Sequence, residues 1–237
     1  MLANTEGGVG LGRLDSEIHL PSTAKDAILV FIARHLSIWR DHSDRPKKQA
    51  EVRLTEHLCD YLNGAAYFST EVSHIQFRTE TGDETKADRT IDLSIKPRVA
   101  LFVEGRRSTI FDTLLPIECK RLPTPKGTDR DEREYVFSGH TSVGGIQRFK
   151  AGDHGAAHKL AAMIGYVQQE TCAFWNERIA KWIDDLVASK QQGWSASDLL
   201  RLEHDDIVGR VAILSSSHTR SDGRADIDLR HLWVQMS

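Results

Sequence analysis

Two short stretches, RTIDLSI over 89–95 and LPIECKRL over 115–122, alternate apolar and polar residues and commit the middle of the chain to a sheet. A strand sends successive side chains to opposite faces, so one face of such a segment joins a core and the other carries its polar groups. In the first stretch Ile91, Leu93 and Ile95 share a face, with Thr90, Asp92 and Ser94 opposite. The second, read as a strand over 113–121, sets Leu115, Ile117 and Cys119 against Pro116, Glu118 and Lys120. A third strand-like stretch, 66–78, alternates around Val72, Ile75 and Phe77.

Helical spacing surrounds these strands. Ile28, Phe31, Ile32, His35 and Trp39 fall on one face of a helix over 22–39, with Ser22 as its N-cap. Residues 41–46 break it, and Pro46 suits the first turn of a second helix that stops at Asn63-Gly64. The apolar stripe of that helix is Ala50, Leu54, Leu58, Tyr61 and Leu62. A polar, charge-mixed loop over 123–141 follows the strands, then a short helix over 142–150. The apolar run 160–168 reads equally as a buried strand or a helix end. An amphipathic helix over 172–190 and strands over 209–216 and 227–236 complete the chain, which has no internal repeat. The expected architecture is α/β, a mixed central sheet flanked by helices. Residues 1–20 form a flexible arm and 21–237 one domain, its core at 46–168 with the C-terminal helix and strands appended.

Composition excludes several classes. With 237 residues, 40% hydrophobic and 27% charged, the chain can bury one sizeable core. No apolar run approaches the roughly 18 residues of a membrane span, and 1–13 lacks the basic and apolar segments of a secretory signal. Cys59, Cys119 and Cys172 are far apart, odd in number and without a CxxC pair, so free thiols and a cytoplasmic location are expected. The net charge of -3 rules out a protein coated in positive charge, but 98–150 holds ten Lys/Arg against seven Asp/Glu. Gly7–Gly12 has the glycines of a phosphate-binding loop without the flanking strand and helix, and reads as a flexible leader. His154 and His158 have the spacing of a helical metal pair, but no Glu follows the first, and they read as helix or loop surface. There is no GxSxG, no GK[ST], and no row of aromatics for stacking single strands.

The chemistry sits on the two strands. Glu118 and Lys120 are two apart and point the same way, and if the strands are neighbours Asp92 joins them. Two carboxylates offer hard oxygen ligands that suit Mg²⁺ or Mn²⁺. Lys120 could hold a nucleophilic water or neutralise charge developing on a phosphate.

An Asp, then a strand-borne Glu-x-Lys, with a helix before and after, resembles the PD-(D/E)xK superfamily and its restriction-endonuclease-like fold. The resemblance covers about 46–168; Thr90-Ile91 stand where the motif's leading proline would be. It implies that Asp92 and Glu118 are metal carboxylates, that Lys120 is the catalytic lysine, and that an acid on the preceding helix completes the set. At about 100° per residue from Ala50, Glu51 falls inside the apolar stripe, while Glu56 falls near about 240° and faces solvent. Glu51 is therefore the expected helix acid, since a buried acid needs a partner. Gln147 resembles the polar residue that many members place near the metal.

A phosphodiester substrate calls for nearby cations, and Arg121, Lys126, Arg148 and Lys150 are the foremost candidates, with Arg106, Arg107 and Arg130 behind them. The resemblance leans to DNA over RNA without deciding between them, and implies bacterial restriction, repair or anti-phage defence. No sequence-reading motif is present, so a homodimer or a partner protein would supply target recognition.

Overall fold

In the computed structural model the described residues are 19–20, 23–47, 50–86, 88–127, 130–139, 144–220 and 223–236. Residues 1–18 of the expected 1–20 arm, with Gly7–Gly12, the Ser22 cap and the start of the 142–150 helix, lie outside them, while His19–Leu20 form a short strand.

The apolar periodicity of the first helix is realised in α1 (Thr23–Arg40), which buries Ile28, Leu29, Phe31, Ile32, Leu36 and Trp39. The second helix, α2 (Glu51–Tyr67), departs from the sequence reading at both ends. It starts at Glu51, so Pro46 lies ahead of it rather than in its first turn. It also runs through Asn63-Gly64. The Asn63 amide donates to the Phe77 carbonyl and accepts from the Phe77 N–H, both at 2.9 Å. That tertiary partner satisfies the side chain that would otherwise favour a helix stop, and nothing crowds Gly64. Ala66 and Tyr67 are consequently helical, and the strand read over 66–78 begins only at Ile75.

Strands β1 (His19–Leu20), β4 (Leu101–Val103) and β5 (Arg106–Ser108) form a small three-stranded sheet. Segments of two or three residues are too short for alternation to reveal. The other seven strands are β2 (Ile75–Gly82), β3 (Thr90–Pro97), β6 (Leu115–Leu122), β7 (Leu160–Val167), β8 (Arg201–Asp206), β9 (Val211–His218) and β10 (Ile227–Gln235). They make one mixed sheet in the order β2-β3-β6-β7-β10-β9-β8, with β6, β7 and β10 parallel and the other pairs antiparallel. The ambiguous run at 160–168 is thus a central strand. β8 was missed because RLEHDD has no apolar face; it is an exposed edge strand rich in charge.

Helices α1 and α2 pack on one face of the sheet, against Leu93, Ile95, Leu115, Ile117, Cys119, Ile164 and Tyr166. The short α3 (Gly145–Ala151) and α4 (Cys172–Ala188) pack on the other, with Met163, Leu229 and Trp233. Thr171 caps α4 by accepting the Phe174 N–H at 3.1 Å, and the helix buries Trp175, Ile179, Trp182, Ile183 and Leu186. The protein is therefore α/β, with a seven-stranded mixed sheet and four helices among the described residues. The C-terminal strands are not a separate layer, because β10 pairs along β7 through eight consecutive residues. Cys59, Cys119 and Cys172 are free and buried. No helix among the described residues is long and apolar enough to cross a membrane.

Candidate active site

Antiparallel pairing of β3 with β6 sets Leu93 opposite Ile117 on the α1–α2 face. One residue further along each strand the side chains switch faces, and Asp92 and Glu118 emerge together on the α3 side. There Asp92 bonds the neighbouring strand through its side chain, Oδ2 accepting the Cys119 N–H at 2.8 Å. Lys120 follows on the same face as Glu118.

The Lys120 ammonium is the centre of the group. Its Nζ lies 2.8 Å from Glu118 Oε1, 3.4 Å from Glu51 Oε1 and 3.7 Å from Asp92 Oδ2. Glu51 comes from the first turn of α2, where a carboxylate also suits the positive end of the helix dipole. Its other oxygen accepts the Arg121 N–H at 3.1 Å. Glu56 instead pairs with Arg53 at 2.8 Å and is 45% exposed, bordering a small cavity with Glu51 and Asp92 but making no contact with Lys120.

Glu118 is fully buried and carries three partners. Besides Lys120, Arg148 Nη1 reaches Oε1 at 2.6 Å, and His154 Nδ1 lies 2.9 Å from Oε2. Burial works to raise this carboxyl, but Lys120, His154 and Arg148 outweigh it and hold Glu118 well below the usual carboxylate range. Burial likewise opposes the Lys120 charge, and Glu118, Asp92 and Glu51 together overcome it and raise its pKa. Asp92 goes the other way. Burial, then the Glu118 charge, push its carboxyl up to about 7, with Lys120 and the Cys119 N–H compensating only in part. The difference follows from the partners: Glu118 has three nitrogens against it, whereas Asp92 has one distant ammonium and one peptide N–H.

A cavity of about 490 Å³ opens onto this group, lined by Glu51, Asp92, Lys120, Glu134, Arg148 and His154, with Arg89 and Arg130 among its remaining residues. Glu118 is beneath it rather than on its wall. Glu134, buried and 3.2 Å from Arg130, has its carboxyl raised, mainly by burial.

The donor set is hard oxygen, as Mg²⁺ or Mn²⁺ requires. Among the described residues no three or more His, Cys, Asp and Glu side chains are arranged to hold a metal ion. The physical reason is visible: Lys120 occupies the point where the carboxylates meet, and Glu118 is committed to cations. Asp92 and Glu51 keep 29% and 24% of their side chains exposed and are the acids of this set that face the cavity. The uncompensated charge at Asp92 is the feature that fits a divalent cation.

Of the cations expected to contact a substrate, Arg148 lines the cavity and is already bonded to Glu118, and Lys126 is exposed away from it. Arg121 alternates to the α2 side of β6, where burial lowers its pKa. Lys150 is a correction. It is buried, pairs with Asp198 and lies 5.1 Å over the Trp194 ring, so its charge is spent inside the protein. Gln147 also turns from the site; its Oε1 accepts the Ser138 N–H at 3.0 Å and holds the preceding loop. His154, expected on a helix or loop surface, is instead buried against Glu118. His158 lies apart from it, 3.4 Å from Glu84, so the two histidines do not form a pair. Glu134 escapes the sequence reading because it sits in a polar segment with no periodicity, and Arg89 because it stands at the end of the alternating stretch, just before β3. Arg106 and Arg107 are on β5, where Arg106 lines a separate cavity with Lys25 and Glu84.

Comparison with models of protein families, with curated proteins and with solved structures gives no match.

Proposed function

We propose that this chain is a Mg²⁺- or Mn²⁺-dependent nuclease of the PD-(D/E)xK type that hydrolyses phosphodiester bonds of DNA. The supporting observation is that Glu51, Asp92, Glu118 and Lys120, from three elements, meet within 3.7 Å of one ammonium at the floor of an open polar cavity. A divalent cation supplies Lewis acidity to a phosphodiester oxygen and acidifies water. Asp92 and Glu51 would hold it at the cavity wall, with Glu118 below. Lys120 balances the negative charge that grows on the phosphate, and Arg148, Arg130 and Arg89 give the cavity a cationic side for flanking phosphates. Restriction, repair or defence against foreign DNA is the setting proposed, with a partner or second copy supplying target recognition.

A second reading, a catalytically silent binding or scaffolding subunit, is favoured by one observation: Lys120 fills the point where the carboxylates converge. The test is cleavage of plasmid and single-stranded DNA with Mg²⁺, Mn²⁺ or EDTA. Metal-dependent cutting that drops by roughly a thousandfold in Lys120→Ala supports the nuclease, a loss of the size seen when one charge-stabilising group is removed. Equal cutting by Lys120→Ala would reject the site. Absence of both cutting and Mn²⁺ binding in the wild type would leave the silent subunit.

A further inference from the structure

Behind α3 lies a second buried polar system that the proposed hydrolysis does not use. Trp233 Nε1 donates to the Tyr135 hydroxyl at 2.7 Å, and that hydroxyl is 2.8 Å from His231 Nδ1. Ser216 Oγ stands between two imidazoles, 2.8 Å from His231 Nε2 and 2.7 Å from His218 Nε2. His218 Nδ1 is 2.6 Å from Asp198 Oδ1, which also accepts from Lys150 Nζ. All seven residues are buried.

The two ends fix the direction of every bond. An indole N–H can only give, and a carboxylate can only accept. Tyr135 therefore gives its proton to His231 Nδ1, which leaves the neutral His231 protonated at Nε2 and donating to Ser216. Ser216 donates to His218 Nε2, so His218 carries its proton on Nδ1, facing Asp198. Read from Asp198 backwards, the same assignment results. Ser216, His218 and Asp198 have the connectivity of a hydrolytic triad, but Ser216 is buried and its oxygen is occupied from both sides by imidazole.

The chain closes into a ring through α3. Lys150 lies in its last turn. At its other end the N–H groups of Gly145, Ile146 and Gln147, which no helix can satisfy internally, donate to the carbonyls of Glu134, Tyr135 and Val136 at 2.8, 3.2 and 3.0 Å. A Cβ on Gly145 would lie 2.9 Å from the Tyr135 carbonyl oxygen and 2.4 Å from Met163 Cε, so the approach needs glycine. Arg148 projects from this clamped helix to Glu118, and His154 follows just after it.

We propose that the ring formed by Tyr135, His231, Ser216, His218, Asp198 and Lys150 is the positioning machinery of the site. Strands β9 and β10 hold α3 where Arg148 and His154 meet Glu118, and all six are positioning residues. The functional part of this inference rests on the nuclease reading.

The experiment uses the full chain, with ¹⁵N-histidine NMR near neutral pH and amide exchange. The wild type is expected to show His231 protonated at Nε2 and His218 at Nδ1. Ser216→Ala is expected to shift the Nε2 resonances of both imidazoles, while each keeps the tautomer its own end fixes, and to exchange the Gly145, Ile146 and Gln147 amides roughly tenfold faster relative to β7. Its DNA-cleavage kcat should fall roughly tenfold or more at little-changed KM, the usual cost of losing a supporting contact, and Ser216→Thr should restore all three. Should Ser216→Ala fail to fold, Tyr135→Phe breaks the same ring at similar volume. Opposite or mixed tautomers in the wild type, or unchanged exchange at the three amides, overturns the ring. A ring that behaves as expected while the broken variant cuts at the wild-type rate overturns its positioning role. If the wild type cuts no DNA, the nuclease reading fails and the tautomers and amides alone decide the inference.

Discussion

Asp92 and Glu118 are the same kind of acid on adjacent strands, and their neighbours drive them apart. Glu118, with Lys120, Arg148 and His154 around it, stays ionised. Asp92, lifted to about 7 by burial and by Glu118, is the acid whose charge the metal-free protein compensates least. A carboxyl raised on folding binds its proton more tightly in the folded state, so stability is lost as pH rises from the unfolded value of about 4 through about 7. Asp92→Asn removes that penalty and keeps an acceptor for the Cys119 N–H. In EDTA above neutral pH it is expected to stabilise the fold by about 1–2 kcal/mol, and to have little effect near about pH 4. Thermal denaturation at the two pH values measures this, and a destabilised Asn variant at alkaline pH would mean that Asp92 is fully compensated. The same substitution should abolish metal-dependent cutting.

At the scale of elements, α2 contributes one acid to the cavity over Lys120 and leaves another outside it. Residues 51 and 56 are separated by five helical steps, roughly 140° around the axis, so one cannot substitute for the other. Glu51→Gln is expected to reduce cleavage by roughly 10- to 100-fold, the usual range for a residue supporting a metal site. Glu56→Gln loses only an exposed pair with Arg53 and should stay within about twofold. Steady-state cleavage by the two variants side by side makes the comparison; equal losses would contradict the helix-face assignment. α3 shows the complementary logic. It is seven residues long, without a side-chain N-cap; the carbonyls of 134–136 take its first N–H groups, the N–H groups of Gly152, Asp153 and His154 donate to carbonyls of its last turn, and Asp198 pairs with Lys150.

Over the whole molecule, the sheet ties the two halves of the chain together, and its C-terminal strands bring buried histidines into the interior. Burial lowers the pKa of His218 and, further, of His231. Both are therefore neutral in the fold, and unfolding lets them take up protons below about 6.5, the ordinary imidazole value. The sign follows: this stability is present above about pH 6.5 and is lost as pH falls below it. Asp92 acts in the opposite sense over this range, so the comparison is made in the Asp92→Asn background, where the melting temperature should drop by several degrees between about pH 7 and about pH 5, with a shallower drop when His231→Gln is added. A melting temperature flat over that interval would contradict the neutral, buried assignment.

Alternation and helical periodicity in the sequence determined β3, β6, α1, α4 and both tail strands. A period of two or of 3.6 is the direct imprint of a one-sided core on the chain. The same arithmetic put Asp92, Glu118 and Lys120 on the strand faces opposite the aliphatic residues and Glu51 on the inward face of α2, which is how far local pattern reaches into the site. It could not reach the rest. α2 overruns Asn63-Gly64 because Phe77, fourteen residues away, satisfies Asn63. His154 is buried, and Lys150 is withdrawn from the surface, because Glu118 and Asp198 wait for them 36 and 48 residues away. The partner of a polar side chain is chosen by the approach of distant segments, and local periodicity records only which side of an element faces the core. Whether a charge faces a ligand or is satisfied within the protein was therefore decided by the tertiary structure alone.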